Sequence, residues 1–230
     1  LDPPRHTKVL LVTDGNMFLE DVLATMPLDL VTMTTEGYER ADNETIRDGD
    51  RSLFDVVIFD RHSTARLPQG NYLFWGAVPK IDGVTAGPVI ADQVIFNWDE
   101  THPVLRYVAV EAMEVVQWLH LTLPREAVSI IDGQTSPVLA YLARDASQYL
   151  ISAFSLLVRD DRGNELINTD LSVNLDFVPF MQNTIQFLAA NLAATGKRGV
   201  LPGEPVTLPC PPRVAEVKII RPDGVEDAIP

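Results

Sequence analysis

The chain reads as an α/β protein built on an open, largely parallel sheet, and three features predict this. Short apolar runs end in small polar clusters: Lys8–Thr13 into Asp14-Gly15-Asn16, Asp55–Phe59 into Asp60-Arg61-His62-Ser63, and Asn71–Trp75 into Gly76. These runs alternate little between apolar and polar residues, as strands buried on both faces do. A short helical segment separates the first run from another extended run, and one long amphipathic helix lies near position 180. In such a sheet, ligands and catalytic groups gather where strands end. None of the three loops carries a complete catalytic or cofactor motif, so the sequence says more about fold than about chemistry.

Taken in order, Lys8–Thr13 is the first strand. Asn16 can cap a helix whose apolar face is Leu19, Val22, Leu23 and Met26, stopped by Pro27. Leu28–Thr34 is a second strand, completing a βαβ unit. Residues 36–52 are charged and polar, a loop or ragged helix over the sheet edge. Asp55–Phe59 and Tyr72–Trp75 are further strands, joined through Pro68-Gln69-Gly70. Between Pro79 and Pro103 the chain is rich in Gly, Pro and Asp, with Val89-Ile90 and Val94–Phe96 as short extended pieces. Val115–Leu123 and Ser129–Ile131 read as strands. Val138–Ala143 and Tyr149–Leu157, separated by Asp145-Ala146-Ser147, form a predicted hairpin. A helix from Ser136-Pro137 is the alternative for the first of these.

Asp176–Ala194 is the clearest helix: Phe177, Phe180, Met181, Thr184, Ile185, Leu188 and Leu192 fall on one stripe. Pro179 is tolerated in its first turn and Gly196 supplies the stop. Seven of the 17 prolines then lie between 202 and 230, with short β runs at Val206–Leu208 and Val214–Ile220 and a Pro222-Asp223-Gly224 turn. The predicted organisation is an α/β domain over 1–196, then a linker and the truncated start of a β-sandwich-like module over 197–230. Both ends read as cuts inside a longer protein.

Composition removes several function classes. At 230 residues and 46% apolar the chain can bury a full core. Its net charge of −14 repels phosphate backbones, so no nucleic-acid partner is expected. The single cysteine, Cys210, excludes an internal disulfide and a cysteine-rich zinc site, and the four histidines show no metal-ligand spacing. No apolar run approaches the roughly 20 residues of a membrane-spanning helix. No signal peptide opens the chain. No cofactor or metal is expected.

The candidate chemistry lies at the strand ends. Asp14 and Asp60 could sit side by side and share a proton or hold a divalent cation. Read locally, Asp14 begins an Asp-Gly turn and Asp60 caps the next loop. His62 and Ser63 invite a base–nucleophile reading, but neighbours in one loop rarely face each other. Asp60, His62 and Ser63 also miss the Asp-x-Ser-x-Ser spacing by one position. Asp-Gly-Asn after the first strand is no phosphate loop, since an acidic residue there opposes an anion. Trp75, Trp98 and Trp118 are scattered and read as packing residues.

The runs KVLLVTDGNMFLEDVL, FDVVIFDR, LPQGNYLFWGAVP and HPVLRYV, with the helix beginning near DFVPFMQNTIQFLA, carry a resemblance. Together they resemble the class I glutamine amidotransferase-like domain of large bacterial membrane proteins. Those proteins combine an aerotolerance-regulator (BatA-type) double-transmembrane region with a von Willebrand factor A domain. GEPVTLP and VKIIRPDG are similar to the β-module that follows it. The resemblance implies a three-layer αβα, flavodoxin-like fold, membrane tethering through other parts of the protein, and a periplasmic position. True class I amidotransferases place a cysteine nucleophile in the turn after a central strand, with His and Glu from a later segment. Here the turn reads Gly76-Ala77-Val78, and the later His-x-Glu pattern is missing.

The expectation is therefore a non-catalytic interaction or scaffolding domain with protein partners. The alternative is a small-ligand or divalent-cation binding domain, or an uncharacterised hydrolase, using Asp14, Asn16, Asp60 and His62.

Overall fold

The computed structural model describes residues 6–91, 93–194, 217–220 and 226–229. By its internal packing the chain divides into two units, Leu1–Ala190 and Asn191–Pro230. In the first unit, β1 (Thr7–Val12) leads through α1 (Met17–Ala24) to β2 (Leu28–Met33). The charged stretch that follows folds as α2 (Thr35–Arg40), α3 (Asn43–Ile46) and a small pair, β3 (Arg47–Asp48) with β4 (Arg51–Ser52). Next come β5 (Val56–Asp60), β6 (Asn71–Trp75), β7 (Thr85–Ala91), β8 (Ile95–Trp98) and β9 (Gln117–Thr122). After these lie β10 (Val128–Gly133), β11 (Pro137–Arg144), β12 (Ser147–Ser152), β13 (Leu157–Arg159), β14 (Glu165–Ile167) and α4 (Phe177–Ala194).

One sheet of eight strands runs in the order β2-β1-β5-β6-β12-β11-β10-β8. The first five strands are parallel, and β11, β10 and β8 continue it antiparallel. The chain steps from β1 outward to β2 and then back across to β5, so the strand order reverses between β1 and β5. That reversal opens a crevice at the carboxyl ends of the two strands.

Pleat parity assigns the layers. Side chains alternate faces along a strand, and Phe59 lies level with Phe74, as Asp60 does with Trp75. Phe59, Tyr72, Phe74 and Tyr149 stack on one face, where Tyr38 of α2 meets Phe59 edge-on. Trp75 points to the other face, against Phe177 and Phe180 of α4. Tyr141 of β11 meets Phe187 of the same helix. Two helices thus cover opposite faces of one sheet, giving the three-layer α/β arrangement expected from the sequence. Every residue of β5 and β6 is buried, which explains why neither strand alternates.

Phe177, Phe180, Met181, Thr184, Ile185 and Leu188 form the buried stripe of α4; the expected position of Gly196 lies outside the described residues. The hairpin predicted around Asp145-Ala146 forms as β11–β12. Its two-residue turn holds both residues at positive φ, +51° and +59°, the primed-turn geometry that matches strand twist. In the second unit, β15 (Val217–Ile220) pairs antiparallel with β16 (Glu226–Ile229). The expected run at Val206–Leu208 and turn at Pro222-Asp223-Gly224 lie outside the described residues.

Leu73, fully buried on β6, should lose about 2–5 kcal/mol of stability as Leu73→Ala. Leu175, 92% exposed, should change it by less than about 0.5 kcal/mol as Leu175→Ala. Urea denaturation of both variants checks the pair.

Candidate functional site

The crevice between β1 and β5 is organised by one buried carboxylate. Asp60 is the last residue of β5 and shares its face with Val56, Ile58 and Trp75. It is 3% exposed, and a buried charge persists only when its oxygens are hydrogen-bonded. Thr13 Oγ1 donates to Oδ2 at 2.8 Å, Asn16 Nδ2 donates to Oδ1 at 3.0 Å, and Arg61 Nη2 reaches Oδ2 at 3.4 Å. Burial pushes the Asp60 carboxyl above its ordinary value, against the pull of Arg61, Thr13 and Asn16.

Asn16 is equally committed. Its Oδ1 accepts from the Leu19 N–H at 3.4 Å as the N-cap of α1, and its own N–H donates to Glu20 Oε1 at 3.3 Å. Asp60 and Asn16 are thus in direct contact, as joiners of β5 to the helix start. Asp14 turns the other way. Its two oxygens accept from the backbone and hydroxyl of Thr35, at 2.9 and 2.6 Å. Those two bonds hold its carboxyl below the ordinary value, with help from nearby His62 and Arg61. His62 pairs with Glu39 at 2.8 Å, while Ser63 Oγ accepts from the Val78 N–H at 3.2 Å. Base and nucleophile in that loop therefore have separate partners. Among the described residues, no group of three or more His, Cys, Asp or Glu side chains is placed to hold a metal ion.

Arg61 carries two unusual features. Its φ of +51° is a left-handed conformation that costs a non-glycine residue roughly 1–2 kcal/mol. Its guanidinium bridges three elements: Gly15 O at 3.2 Å, Asp60, and Glu165 Oε1 on β14 at 3.1 Å. Arg159 Nη2 of β13 approaches the same Oε1 at 3.7 Å. The β13–β14 hairpin is thereby tied to the end of β5.

The turn after β6 lies beside these groups. Gly76 has φ +59°, and its N–H donates to Ser152 O at 3.0 Å. A Cβ on residue 76 would come 2.6 Å from Ser155 Cβ and 2.9 Å from its backbone nitrogen, inside the contact limit. Ser155 itself is turned inward, its hydroxyl donating to Leu157 O at 2.7 Å. The position is closed to a side chain on steric and conformational grounds together.

A cavity of roughly 430 Å³ opens over these strand ends. Asp14, Asp60, Arg61 and Arg159 give it charge, and Val89, Trp118, Leu119, Leu157 and Val158 give it apolar wall. Thr13, Arg61, Ser155, Arg159 and Glu165 were not among the residues expected from sequence. Thr13 had a local signal, two residues beyond Leu11 on the same strand face. The hairpin residues had none, because they meet β5 only through the fold.

Solved structures share this architecture. The chain is similar to the cytoplasmic protein STM1381 from Salmonella typhimurium LT2, with a TM-score of 0.56 and 8% identity, over 79% of this chain and 99% of that one. The cytoplasmic protein STM3548 from Salmonella typhimurium gives 0.52 and 10%, over 79% and 98%. A Thermoplasma acidophilum protein described as a GMP synthase subunit gives 0.51 and 11%, over 84% and 99%. Identities this low show fold alone. The fold is a three-layer, flavodoxin-like α/β arrangement. No protein-family model matches the chain, and no curated protein matches it in sequence.

The expected periplasmic position is corrected by these comparisons: the two Salmonella structures of the same fold are described as cytoplasmic proteins. That expectation came from the company such domains keep, and no residue of this chain carries it. Among the described residues, no helix is long and apolar enough to cross a membrane.

Asp60 and Gly76 each give a measurable outcome. Because the folded Asp60 carboxyl titrates above its ordinary value of 3.8, its stabilising contribution is full below that value and is lost as pH rises through the folded pKa. The stability difference between wild type and Asp60→Asn, followed by urea unfolding across the acid range, should therefore move in favour of the variant as pH rises. Gly76→Ala should cost at least about 1–2 kcal/mol from the left-handed backbone alone, with the Ser155 overlap adding to it, read as a lowered urea midpoint.

Proposed function

We propose that this domain keeps an amidotransferase-like fold without its nucleophile and acts by interaction rather than turnover. The observation that carries the reading is the turn after β6. In the class I amidotransferases that the sequence resembles the nucleophile stands in that turn, and a nucleophile needs a base within hydrogen-bond reach. Residue 76 is glycine, packed so closely against Ser155 that a Cβ would overlap it. The neighbouring groups that could substitute are engaged in holding loops: Ser63 by Val78, Ser155 by Leu157, and His62 by Glu39.

The same proposal keeps a protein as the expected partner. It also keeps the finer resemblance to domains accompanying a BatA-type membrane region and a von Willebrand factor A domain, which rests on the sequence runs alone. A second reading, binding of a small ligand, is favoured by the cavity at the strand ends, where open α/β sheets take ligands. Divalent-cation binding gains no support from Asp14 and Asp60, whose oxygens turn to different partners, Thr35 for Asp14 and Thr13 with Asn16 for Asp60.

The test is glutamine hydrolysis by the full chain, followed as released ammonia, in wild type and Cys210→Ala. Both should match the buffer rate. Ammonia release above buffer that persists in Cys210→Ala, and disappears when the chain is unfolded in urea, would overturn the non-catalytic reading.

A further inference from the structure

The cavity at the strand ends contains a cation pair that is already occupied. Arg61, from the end of β5, and Arg159, from β13, converge on a single oxygen, Oε1 of Glu165, at 3.1 and 3.7 Å. One nitrogen of each guanidinium approaches the same carboxylate oxygen, so two cations converge on the place of one planar anion. The carboxylate belongs to the protein itself, on a three-residue strand of a small hairpin. Beside the arginines the cavity has an apolar wall of Val89, Trp118, Leu119 and Val158, and a polar side that includes Asp14 and Asp60.

The charge around the pair decides what can bind. Asp14 is turned to Thr35 by both its oxygens. Asp60 holds Thr13 and Asn16 and faces Arg61 only through Oδ2 at 3.4 Å. Among the carboxylates near the arginines, Glu165 is the one held by neither a helix cap nor a Thr hydroxyl in the described structure, and its side chain is 39% exposed. A partly exposed ion pair of this kind contributes little to stability, so a ligand can exchange with it. The chain's overall charge of −14 acts against anions at long range, but salt screens it beyond roughly 8 Å.

We propose that this cavity binds a small carboxylic acid with an apolar tail, and that Glu165 is an internal competitor for the same two arginines. The ligand carboxylate takes the place of Glu165 between Arg61 and Arg159, and the tail lies against Trp118 and Leu119. Release of Glu165 frees β14 from the end of β5, so ligand binding and the position of the β13–β14 hairpin are coupled. The inference rests on the non-catalytic reading of this site.

The probe is 3-phenylpropionate, titrated calorimetrically into the full chain, with 3-phenylpropanamide as its uncharged counterpart. Glu165→Gln should bind the acid at least about fivefold more tightly than wild type, a gain that misfolding cannot produce. Arg159→Gln, at an exposed position, should weaken it by about threefold to fivefold relative to wild type, and the amide should not bind. Equal affinity for acid and amide, no gain in Glu165→Gln, or no binding in any variant would each overturn the clamp. NMR of the recovered probe separates the two readings: consumption of the acid would overturn the non-catalytic reading while leaving the clamp standing.

Discussion

A carboxylate buried at the end of a central strand must find donors, and the search for donors ties three elements together. Asp60 draws Thr13 from the end of β1 and Asn16 from the start of α1, and the same Asn16 closes the first turn of that helix. Desolvation makes the group costly unless all of this is in place. The arrangement is therefore self-consistent: the crevice has its shape because the loop after β1 is pinned to β5. Arg61 extends the pinning outward to Gly15 and to the β13–β14 hairpin. Polar residues that first suggest chemistry are here the fasteners of the site's walls.

Catalysis needs reactive groups whose hydrogen-bonding capacity is left for substrate. In this crevice Ser63, Ser155 and His62 each hydrogen-bond within the protein, and the turn after β6 leaves no room for a side chain at residue 76. The free surface is supplied instead by residues of ordinary binding chemistry, an aromatic and aliphatic wall with guanidinium groups at one end.

Sequence reading reached the fold because the relevant signals are local. Unalternating apolar runs marked β1, β5 and β6, the Asn16 cap marked α1, and one apolar stripe marked α4. Asp145-Ala146 was harder, since alanine, unlike aspartate, is not a typical left-handed turn former, yet the turn holds both at positive φ. The site was legible in part. Asp60 and Asn16 were picked out and do meet, but their partner Thr13 read only as strand, and Asp14, which could have paired with Asp60, lines the same cavity with its oxygens turned to Thr35. Arg159 and Glu165 could not be read at all: they lie about a hundred residues from Arg61, on a hairpin whose sequence is polar without any motif, and only tertiary packing brings them together. The membrane-associated context came from resemblance alone, and its periplasmic part did not survive comparison with proteins of like fold.

The strand order carries a consequence for how the chain is made. β6 is completed on its far side by β12, whose residues pair with partners 77 positions earlier. Until that later segment arrives, the half-sheet of β2, β1, β5 and β6 ends on an open edge formed by Asn71–Trp75, five residues that are all buried in the finished fold. Loop closure over such a span is slow relative to local hairpins, and an apolar edge waiting for its neighbour is a template for wrong pairing. During synthesis this protein therefore passes through a stage in which its central strand is its most vulnerable surface, and the β11–β12 hairpin, closed by its own short turn, is the unit that ends it.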